Sequence, residues 1–275
     1  MVLAVILVFA AWMHFAPRRE MATMPEAPRA DQAGQQRSPA PEATGSVASQ
    51  PTSLESGRTD NEHAVADAVP LDLTEHYHMK ATAFGGITQY PWPAVPRGAQ
   101  TLAGVPLDIG GAMFLWGERN ATNGMSYPEQ ISGIGVAREF ETLYVCHGAF
   151  FEGPPGTPVY EVVFHYDDGT TASDTIECGK DVRDWFANRA DATLGPSGPR
   201  STLAWDGDGK AGDRTQAIRF CLTAIANPQP DKEVTALDLV SSKTLSAGCI
   251  LAITTGKADL MKRVETAPAV EERDN

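Results

Sequence analysis

Short runs of Val, Ile, Thr and aromatic residues, separated by Gly, Pro and Asp, fill residues 71–256 and constrain the fold more than any other feature. Runs of this kind favour β-strands. No segment keeps a helical apolar period over a helix-length window, and the best helical candidate, residues 181–189, is short. The region is therefore predicted to be all-β. The predicted strands are residues 100–107, 112–116, 131–137, 142–149, 158–166, 171–178, 216–226, 234–241 and 249–255.

The spacing of these runs predicts two packed sheets. Both alternating sets of side chains in residues 158–166 are largely apolar, which predicts a strand between two packed layers. Asp167, Asp168 and Gly169 follow it and predict a hairpin turn, in which Gly169 tolerates a positive φ. Many short strands joined by turns and long loops indicate a β-sandwich, and we predict a jelly roll of about eight or nine strands.

Ahead of the predicted domain lies an apolar run, residues 2–16, which reads VLAVILVFAAWMHFA. It is shorter than the ~20 residues that span a bilayer, and no Lys or Arg precedes it as in a signal peptide. Two interpretations stay open: an uncleaved membrane anchor whose true start lies upstream, or a degenerate signal sequence. Arg18 and Arg19 would hold the rest of the chain in the cytoplasm, whereas a basic segment upstream would reverse this orientation. We expect the domain to be anchored outside the cytoplasm, or secreted.

A change in composition separates this run from the predicted domain. Between residues 17 and 63 the only Val, Leu, Ile or aromatic residues are Val47 and Leu54. Such a segment buries too little apolar area to offset its chain entropy, so it is predicted to be disordered. The predicted organisation is a hydrophobic segment (1–16), a Pro/Ala/Ser-rich linker (17–70), the β-sandwich (71–256) and a charged flexible tail (257–275).

Charge and cysteine content exclude several classes of protein. The 35 acidic and 22 basic side chains give a net charge of −13, which argues against a nucleic-acid partner. The four Cys form no C-x-x-C pair, which excludes a Cys-based zinc finger and a thioredoxin-type site. Cys146, Cys221 and Cys249 lie in apolar predicted strands and are expected to be buried, reduced thiols, with Cys178 the most accessible. Two disulfides are the alternative that an even count permits.

Short motifs follow one another along the whole predicted domain. They are LDL (71–73), VPRGAQ (95–100), LAGVPLDI (102–109), YP (127–128), IGV (134–136), LYVCHGA (143–149), HYDDG (165–169), GKDVRDW (179–185), AWDG (204–207), NPQP (227–230), VTALDLVS (234–241) and LAIT (251–254). In this order they resemble the galactose-binding-like jelly-roll modules of bacterial glycosidases and envelope-anchored proteins. The resemblance implies a jelly roll over nearly all of residues 71–256 and a carbohydrate ligand. The chain departs from the pattern at Cys146, Cys221 and Cys249, where aliphatic residues are expected.

Two groups of residues are candidates for a metal site. His76 and His78 lie on one face of an extended segment, but no third ligand is identifiable near them. A loop of carboxylates departs from the EF-hand template, because Lys210 and Ala217 stand where that template needs ligands. A calcium site of another kind and a solvated acidic loop both stay open. The candidate calcium ligands are Asp206, Asp208 and Asp213.

No group of residues indicates a catalytic centre. Asp167 and Asp168 are adjacent carboxylates, but their place in a predicted turn explains them better than a glycosidase pair does. Neighbours on a strand point apart, which argues against a dyad of Cys146 and His147. His147 and His165 lie in apolar strands, where a His is usually a hydrogen-bonded core residue. The sequence lacks a Gly-x-Ser-x-Gly elbow and a Walker loop, so we predict a protein that is not an enzyme, with a glycoside hydrolase as the open alternative.

Aromatic residues in predicted loops indicate a binding site. Sugar rings stack on exposed aromatic rings, while Arg and Asn side chains hydrogen-bond to the hydroxyls. Trp92 has an alternative role as a loop plug packed on the sandwich, and Trp185 and Trp205 are assigned to the core. The candidate ligand-binding residues are Tyr90, Trp92, Trp116, Arg119 and Asn120.

The sequence thus predicts a non-catalytic module tethered to the bacterial envelope, with carbohydrate as its ligand. The alternative is a structural or regulatory domain that binds another protein at the cell surface. No cofactor is expected apart from the candidate calcium, and the only expected contact with a membrane is through the N-terminal segment.

Overall fold

The structure is a computed structural model that describes residues 65–84, 92, 94–188, 194–211 and 214–257. These residues form an all-β protein, which confirms the predicted fold class. Within this part of the chain no helix is long and apolar enough to cross a membrane. The apolar run 2–16, the linker up to residue 64 and the tail from residue 258 lie outside it.

The described residues form fourteen strands and three very short helices. The helices are α1 (Glu118–Thr122) and two 3-10 turns, Thr74–His76 and Ala81–Ala83. The strands are β1 (Val69–Pro70), β2 (Met79–Lys80), β3 (Gly98–Leu102), β4 (Val105–Ile109), β5 (Gly111–Phe114), β6 (Gln130–Arg138), β7 (Thr142–Phe150), β8 (Pro158–Tyr166), β9 (Thr171–Glu177), β10 (Phe186–Asn188), β11 (Ser201–Ala211), β12 (Arg214–Ala226), β13 (Val234–Ser241) and β14 (Ala247–Gly256).

Eight of these strands have the order of a jelly roll. In one sheet β5, β14, β7 and β12 are neighbours, and in the other β6, β13, β8 and β9 are neighbours. All these pairs are antiparallel, and the chain crosses repeatedly between the two sheets. The other strands are additions: β1, β2, β10 and β11 widen the first sheet to eight strands, and β3 pairs with β4 in a separate hairpin.

The wider sheet is covered on both faces, because every residue of β7 and β14 is buried. On one face Val145 and Ile250 belong to the apolar cluster between the two sheets. On the other face Tyr144 and Leu251 belong to a second cluster, formed with the N-terminal segment and the β3–β4 hairpin. The molecule therefore has three layers and two apolar clusters, with the wider sheet in the middle.

This arrangement corrects the prediction that residues 158–166 lie between two packed layers. Tyr160, Val162 and Phe164 of β8 are fully buried against the wider sheet. The alternate residues, including Val163 and His165, are only partly buried. The strands with two covered faces include β7, β14 and the short β5, which agrees with their largely apolar sequences.

Two further predictions of secondary structure were wrong. Residues 181–189 do not begin a helix, since they contain two isolated bridges and then β10. Residues 100–107 are not one strand, because Ala103 (φ 48°) and Gly104 (φ 78°) turn the chain between β3 and β4. Two consecutive positive φ values are typical of the tight turn that joins two-residue hairpins.

The ordered structure begins before residue 71, within the segment assigned to the linker. Val65 is buried, and β1 pairs with the end of β14. Lys257, assigned to the tail, donates its backbone N–H to Ala66 O (3.0 Å), and its ammonium lies 3.0 Å from Asp67 Oδ2. The folded unit therefore includes residues 65–70 and Lys257.

All four cysteines are free and buried. This confirms the expectation for Cys146, Cys221 and Cys249 and contradicts it for Cys178, which is as inaccessible as the others. Cys178 follows β9 but packs in the cluster between the sheets. Burial raises the pKa of its thiol, so it lacks the environment of a reactive cysteine.

A buried polar chain joins the two sheets at His147, as predicted for a hydrogen-bonded core histidine. Nδ1 of His147 lies 2.6 Å from the Tyr160 hydroxyl on the opposite sheet, and Nε2 lies 2.8 Å from Thr223 Oγ1. Thr223 Oγ1 donates to Asp181 O (2.9 Å), so it accepts from Nε2–H, and Nδ1 accepts from Tyr160. Burial lowers the pKa of His147 to about 4, which keeps the ring neutral.

Candidate functional site

Loops from both sheets meet at one end of the sandwich. The register pairs Ala247, at the start of β14, with Phe150, at the end of β7, and β5 ends beside them. Ser241 Oγ at the end of β13 donates to Trp116 O (2.8 Å), which brings the second sheet to the same place. We call this region the α1 end, and it comprises residues 115–129, 150–157, 183–186 and 241–247.

The α1 end contains three of the candidate ligand-binding residues. The segment Gly117–Asn120 was predicted as a loop, but α1 begins at Glu118. The backbone fixes it firmly: Glu118 N donates to Thr244 O (2.9 Å) and Trp116 N donates to Pro128 O (2.7 Å). Gly117 packs so closely on Ala247 that a Cβ there would lie 2.6 Å from the Ala247 Cβ. A rigid segment therefore presents Trp116 and Arg119 and encloses Asn120.

Trp116 and Arg119 are open to solvent to different degrees. Trp116 is partly buried, and Arg119 is exposed. The Arg119 guanidinium carbon lies 5.7 Å from the centre of the Phe151 ring, within the range of a cation–π contact. The ring restrains the guanidinium without using its N–H groups, which leaves them able to donate to a ligand.

Asn120 is the unusual residue of the site. It is 1% exposed, and its amide Nδ2 and Oδ1 have no hydrogen-bond partner among the described residues. Its backbone oxygen is used normally, accepting from Met125 N (2.9 Å) and Asn123 N (3.1 Å). Buried side-chain amides almost always have partners, because leaving one unpaired costs free energy. The two N–H donors and the oxygen acceptor of the Asn120 amide are therefore unused on the buried side of α1.

The loop after β7 is held in place by Asp184. One oxygen of this carboxylate, Oδ2, accepts from the backbone N–H of Phe151 (3.1 Å) and of Glu152 (3.4 Å). The other, Oδ1, accepts from Phe186 N (3.0 Å). Burial raises the pKa of Asp184 to about 6, against these hydrogen bonds, which lower it. Asp184 thus sets the position of the Phe151 ring beneath Arg119.

Glu152 completes this support from the other side. Its Oε2 accepts from Asp184 N (3.1 Å), and its Oε1 lies 2.6 Å from Arg183 Nε. Arg219, which is 2% exposed, places a guanidinium nitrogen 3.5 Å from Glu152 Oε2. The two carboxylates are therefore occupied by backbone N–H groups and guanidinium groups. They act as a clamp on the loop, and neither is arranged as a free acid or base.

Ser246 is likewise engaged in structure and is not available as a nucleophile. Its hydroxyl donates to Phe151 O (2.6 Å) and accepts from Gly153 N (3.1 Å) and Cys178 Sγ (3.4 Å). Sequence reasoning missed Glu152, Asp184 and Ser246, because they are distant in sequence and belong to no motif. Their contacts arise only when β7, β10 and β14 come together.

Trp92 does not belong to the site, which corrects its assignment as a sugar-stacking residue. It is fully buried and makes edge-to-face contacts with Trp185 (5.1 Å), Phe84 (5.4 Å) and Phe220 (5.4 Å). The alternative role, a plug packed on the sandwich, is the correct one. Tyr90 lies outside the described residues.

The two tryptophans assigned to the core differ. Trp185 is buried, as predicted. Trp205 is only partly buried, and it stacks on Phe220 at the margin of the same apolar cluster, with ring centres 6.4 Å apart.

The structure describes only part of the candidate metal sites. Asp206 and Asp208 lie on the regular strand β11, where a loop was predicted, and Asp213 lies outside the described residues. His76 belongs to a 3-10 turn, while His78 Nδ1 accepts from Phe114 N (3.1 Å). Among the residues that the structure describes, no three His, Cys, Asp or Glu side chains could share a metal ion.

The remaining polar candidates have structural partners. Asp168 accepts from Thr170 N (2.9 Å) in the predicted turn and pairs with Lys232, and Gly169 has a φ of 80°. His165 is not a core residue, because its side chain is 38% exposed on the outer face of β8, where Nε2 lies 3.0 Å from Asp238 Oδ2.

Comparisons of this chain with models of known protein families, with curated proteins and with solved structures gave no match. The geometry of the α1 end and the jelly-roll order of the strands are therefore the observations from which a function can be argued.

Proposed function

We propose that this protein is a non-catalytic binding module of the galactose-binding-like kind, with its site at the α1 end and carbohydrate as its ligand. Loops at one end of a β-sandwich are a common place for binding residues, because a rigid scaffold positions them. Here the scaffold is tied by the hydrogen bonds of Glu118 N to Thr244 O, in the loop before β14, and of Trp116 N to Pro128 O, just before β6.

The buried amide of Asn120 is the observation on which the proposal depends. A protein keeps an unsatisfied buried polar group only against its own stability, so the group needs an explanation. A sugar hydroxyl both donates and accepts, which matches the two functions of an amide. Because Asn120 is enclosed, a local shift of α1 is needed for a sugar to reach it. Trp116 offers a partly exposed ring for the apolar face of the same sugar.

Two carboxylates of the α1 end, those of Asp184 and Glu152, are committed to structural contacts, which favours a non-catalytic role. Glycoside hydrolysis needs one carboxyl that holds a proton and a second that faces the same sugar. Both oxygens of Asp184 accept backbone N–H groups, and Glu152 pairs with Arg183 and Arg219. Neither group can approach a substrate without dismantling the loop.

We also propose that residues 1–64 tether the module to the bacterial envelope, with the domain outside the cytoplasm or secreted. The support is the sequence: an apolar run at residues 2–16, followed by a long polar linker. Residues 17–64 of the predicted linker separate that run from residue 65, the first described residue of the module.

Two substitutions at the α1 end test the function. Trp116→Ala should weaken binding to a retained polysaccharide about tenfold, because an aromatic contact is worth about 0.5–1.5 kcal/mol beyond its buried area. Asn120→Leu should weaken binding by a similar factor and leave the melting temperature unchanged or raised, because it removes a buried unpaired amide. Affinity electrophoresis against a polysaccharide panel, with thermal melts alongside, measures both.

Thr122→Ala is the matched control, since Thr122 is exposed on the same helix. It should change neither affinity nor melting. The proposal fails if no polysaccharide is retained by the wild-type protein, or if retention survives both substitutions. Capture of a defined cell-surface protein, lost on the same substitutions, would favour the alternative of a protein-binding domain.

A further inference from the structure

Arg119 differs from the other basic side chains in or next to the α1 end in having no acidic partner. Lys243 pairs with Glu129, and Arg183 and Arg219 both pair with Glu152. Arg119 has no carboxylate within ion-pair distance and no side-chain hydrogen bond among the described residues, and its one contact is with the Phe151 ring. It is thus the basic side chain of the proposed site that no ion pair engages, and its chain neighbour Glu118 is an exposed carboxylate that likewise forms no ion pair among the described residues.

From this contrast we infer that the ligand is an acidic sugar, whose carboxylate is bound by Arg119. The inference rests on the proposed function and names the chemical class of its ligand. A guanidinium matches a carboxylate with two parallel N–H···O bonds, which are about twice as strong as neutral ones. A solvated guanidinium gains little from a neutral hydroxyl, whereas a carboxylate uses both its charge and its geometry.

The position of Arg119 supports a binding role over a structural one. Its ring contact with Phe151 favours one position of the guanidinium, which reduces the side-chain entropy lost when a ligand binds. Phe151 is in turn positioned by Asp184, through the backbone hydrogen bond of 3.1 Å, and by Ser246, through one of 2.6 Å. Asp184 and Ser246 therefore fix the backbone that carries the Phe151 ring, and the ring restrains the Arg119 guanidinium.

Asn120 lies next to Arg119 in the chain and is buried where Arg119 is exposed. Arg119 therefore presents the charged donor at the surface, while the Asn120 amide is enclosed on the other side of the helix. A uronic acid carries a carboxylate, which is the group that the Arg119 guanidinium recognises. The overall charge of −13 repels a polyanion at long range, but at physiological salt this effect is screened beyond ~8 Å.

Matched pairs of polymers test the inference. Polygalacturonate, alginate and hyaluronan are each compared with their carboxyl-reduced products, by affinity electrophoresis of the full chain at physiological salt. At least one polyuronate should bind about tenfold more tightly than its reduced product, because one charge-assisted contact is lost. Arg119→Met should abolish this preference, and Arg119→Lys should restore only part of it.

Arg97→Met is the matched control, because the Arg97 guanidinium also lies over an aromatic ring, 5.9 Å from the centre of Phe84, but outside the α1 end. It should keep the full preference. Equal binding of each polyuronate and its reduced product, or a preference that survives Arg119→Met, overturns the inference and leaves the proposed function standing. If no polysaccharide of any kind is retained, the proposed function fails, and the inference fails with it.

Discussion

Replacing Trp92 by Ala should lower the free energy of unfolding by about 3–5 kcal/mol, the usual cost of removing a large buried aromatic side chain. Trp92 is fully buried and contacts Phe84, Trp185 and Phe220 at once. It fastens the N-terminal segment to the wider sheet, so the cavity cannot collapse without moving that layer. Most domains have only about 5–15 kcal/mol to lose. Urea denaturation followed by far-ultraviolet circular dichroism measures the loss.

Trp205→Ala is the control for this prediction. Trp205 is partly exposed and stacks on Phe220 at the margin of the cluster, so its removal leaves a smaller cavity. It should cost clearly less than Trp92→Ala, about 1–2 kcal/mol. A small and equal loss in both variants would show that Trp92 does not hold the covering layer to the sheet.

Acid should destabilise the protein through His147. Burial lowers the folded-state pKa of His147 from 6.5 to about 4, so the unfolded chain binds the proton more tightly. The stabilising effect of the neutral ring is full above the unfolded pKa and is lost as the pH falls through the window from 6.5 to 4. A shift of this size corresponds to about 3 kcal/mol. The measurement is the free energy of unfolding as a function of pH.

His147→Gln supplies the reference for that measurement. Asp184 acts in the opposite direction, because its raised folded-state pKa of about 6 makes its contribution favourable at low pH and unfavourable as the pH rises from 3.8 to 6. That effect is common to both proteins and cancels in the difference. Below pH 6 the wild type should lose stability faster than His147→Gln, and parallel profiles would contradict the assigned role of His147.

The strands were predicted best where residues next to them in the sequence mark the strand ends. The predicted ranges 158–166 and 234–241 match β8 and β13 residue for residue. Turn residues or Pro stand at their ends, and Val, aromatic and other apolar residues fill most of their length. The order of the eight main strands also agrees with the jelly roll inferred from the succession of motifs.

β11 was missed for a physical reason. Its sequence is rich in Gly and Asp, residues that favour turns and are depleted in strands. The strand forms because β12 pairs with it over its whole length, from Ser201↔Thr223 to Ala211↔Arg214. Pairing with β12 is a tertiary interaction, and the strand propensities of the residues in β11 do not predict it.

Trp92 was misplaced for the same kind of reason. Its Pro-framed surroundings look like an exposed loop, and the partners that bury it, Trp185 and Phe220, are far away in sequence. By contrast, Trp116, Arg119 and Asn120 lie within five residues of one another, and their proximity follows from the chain itself. The clamp of Glu152 and Asp184 beneath Arg119 spans 32 residues, and no sequence pattern indicates it.

Amide chemical-shift mapping by NMR tests most directly whether the α1 end binds the ligand. The isotopically labelled protein is titrated with an oligosaccharide of the best-retained polymer, and the perturbed backbone amides are located. We expect the largest perturbations at residues 116–125, 151–153 and 244–247. Perturbations that instead cluster on the outer face of the other sheet, around His165 and Asp238, would contradict the assignment of the site to the α1 end.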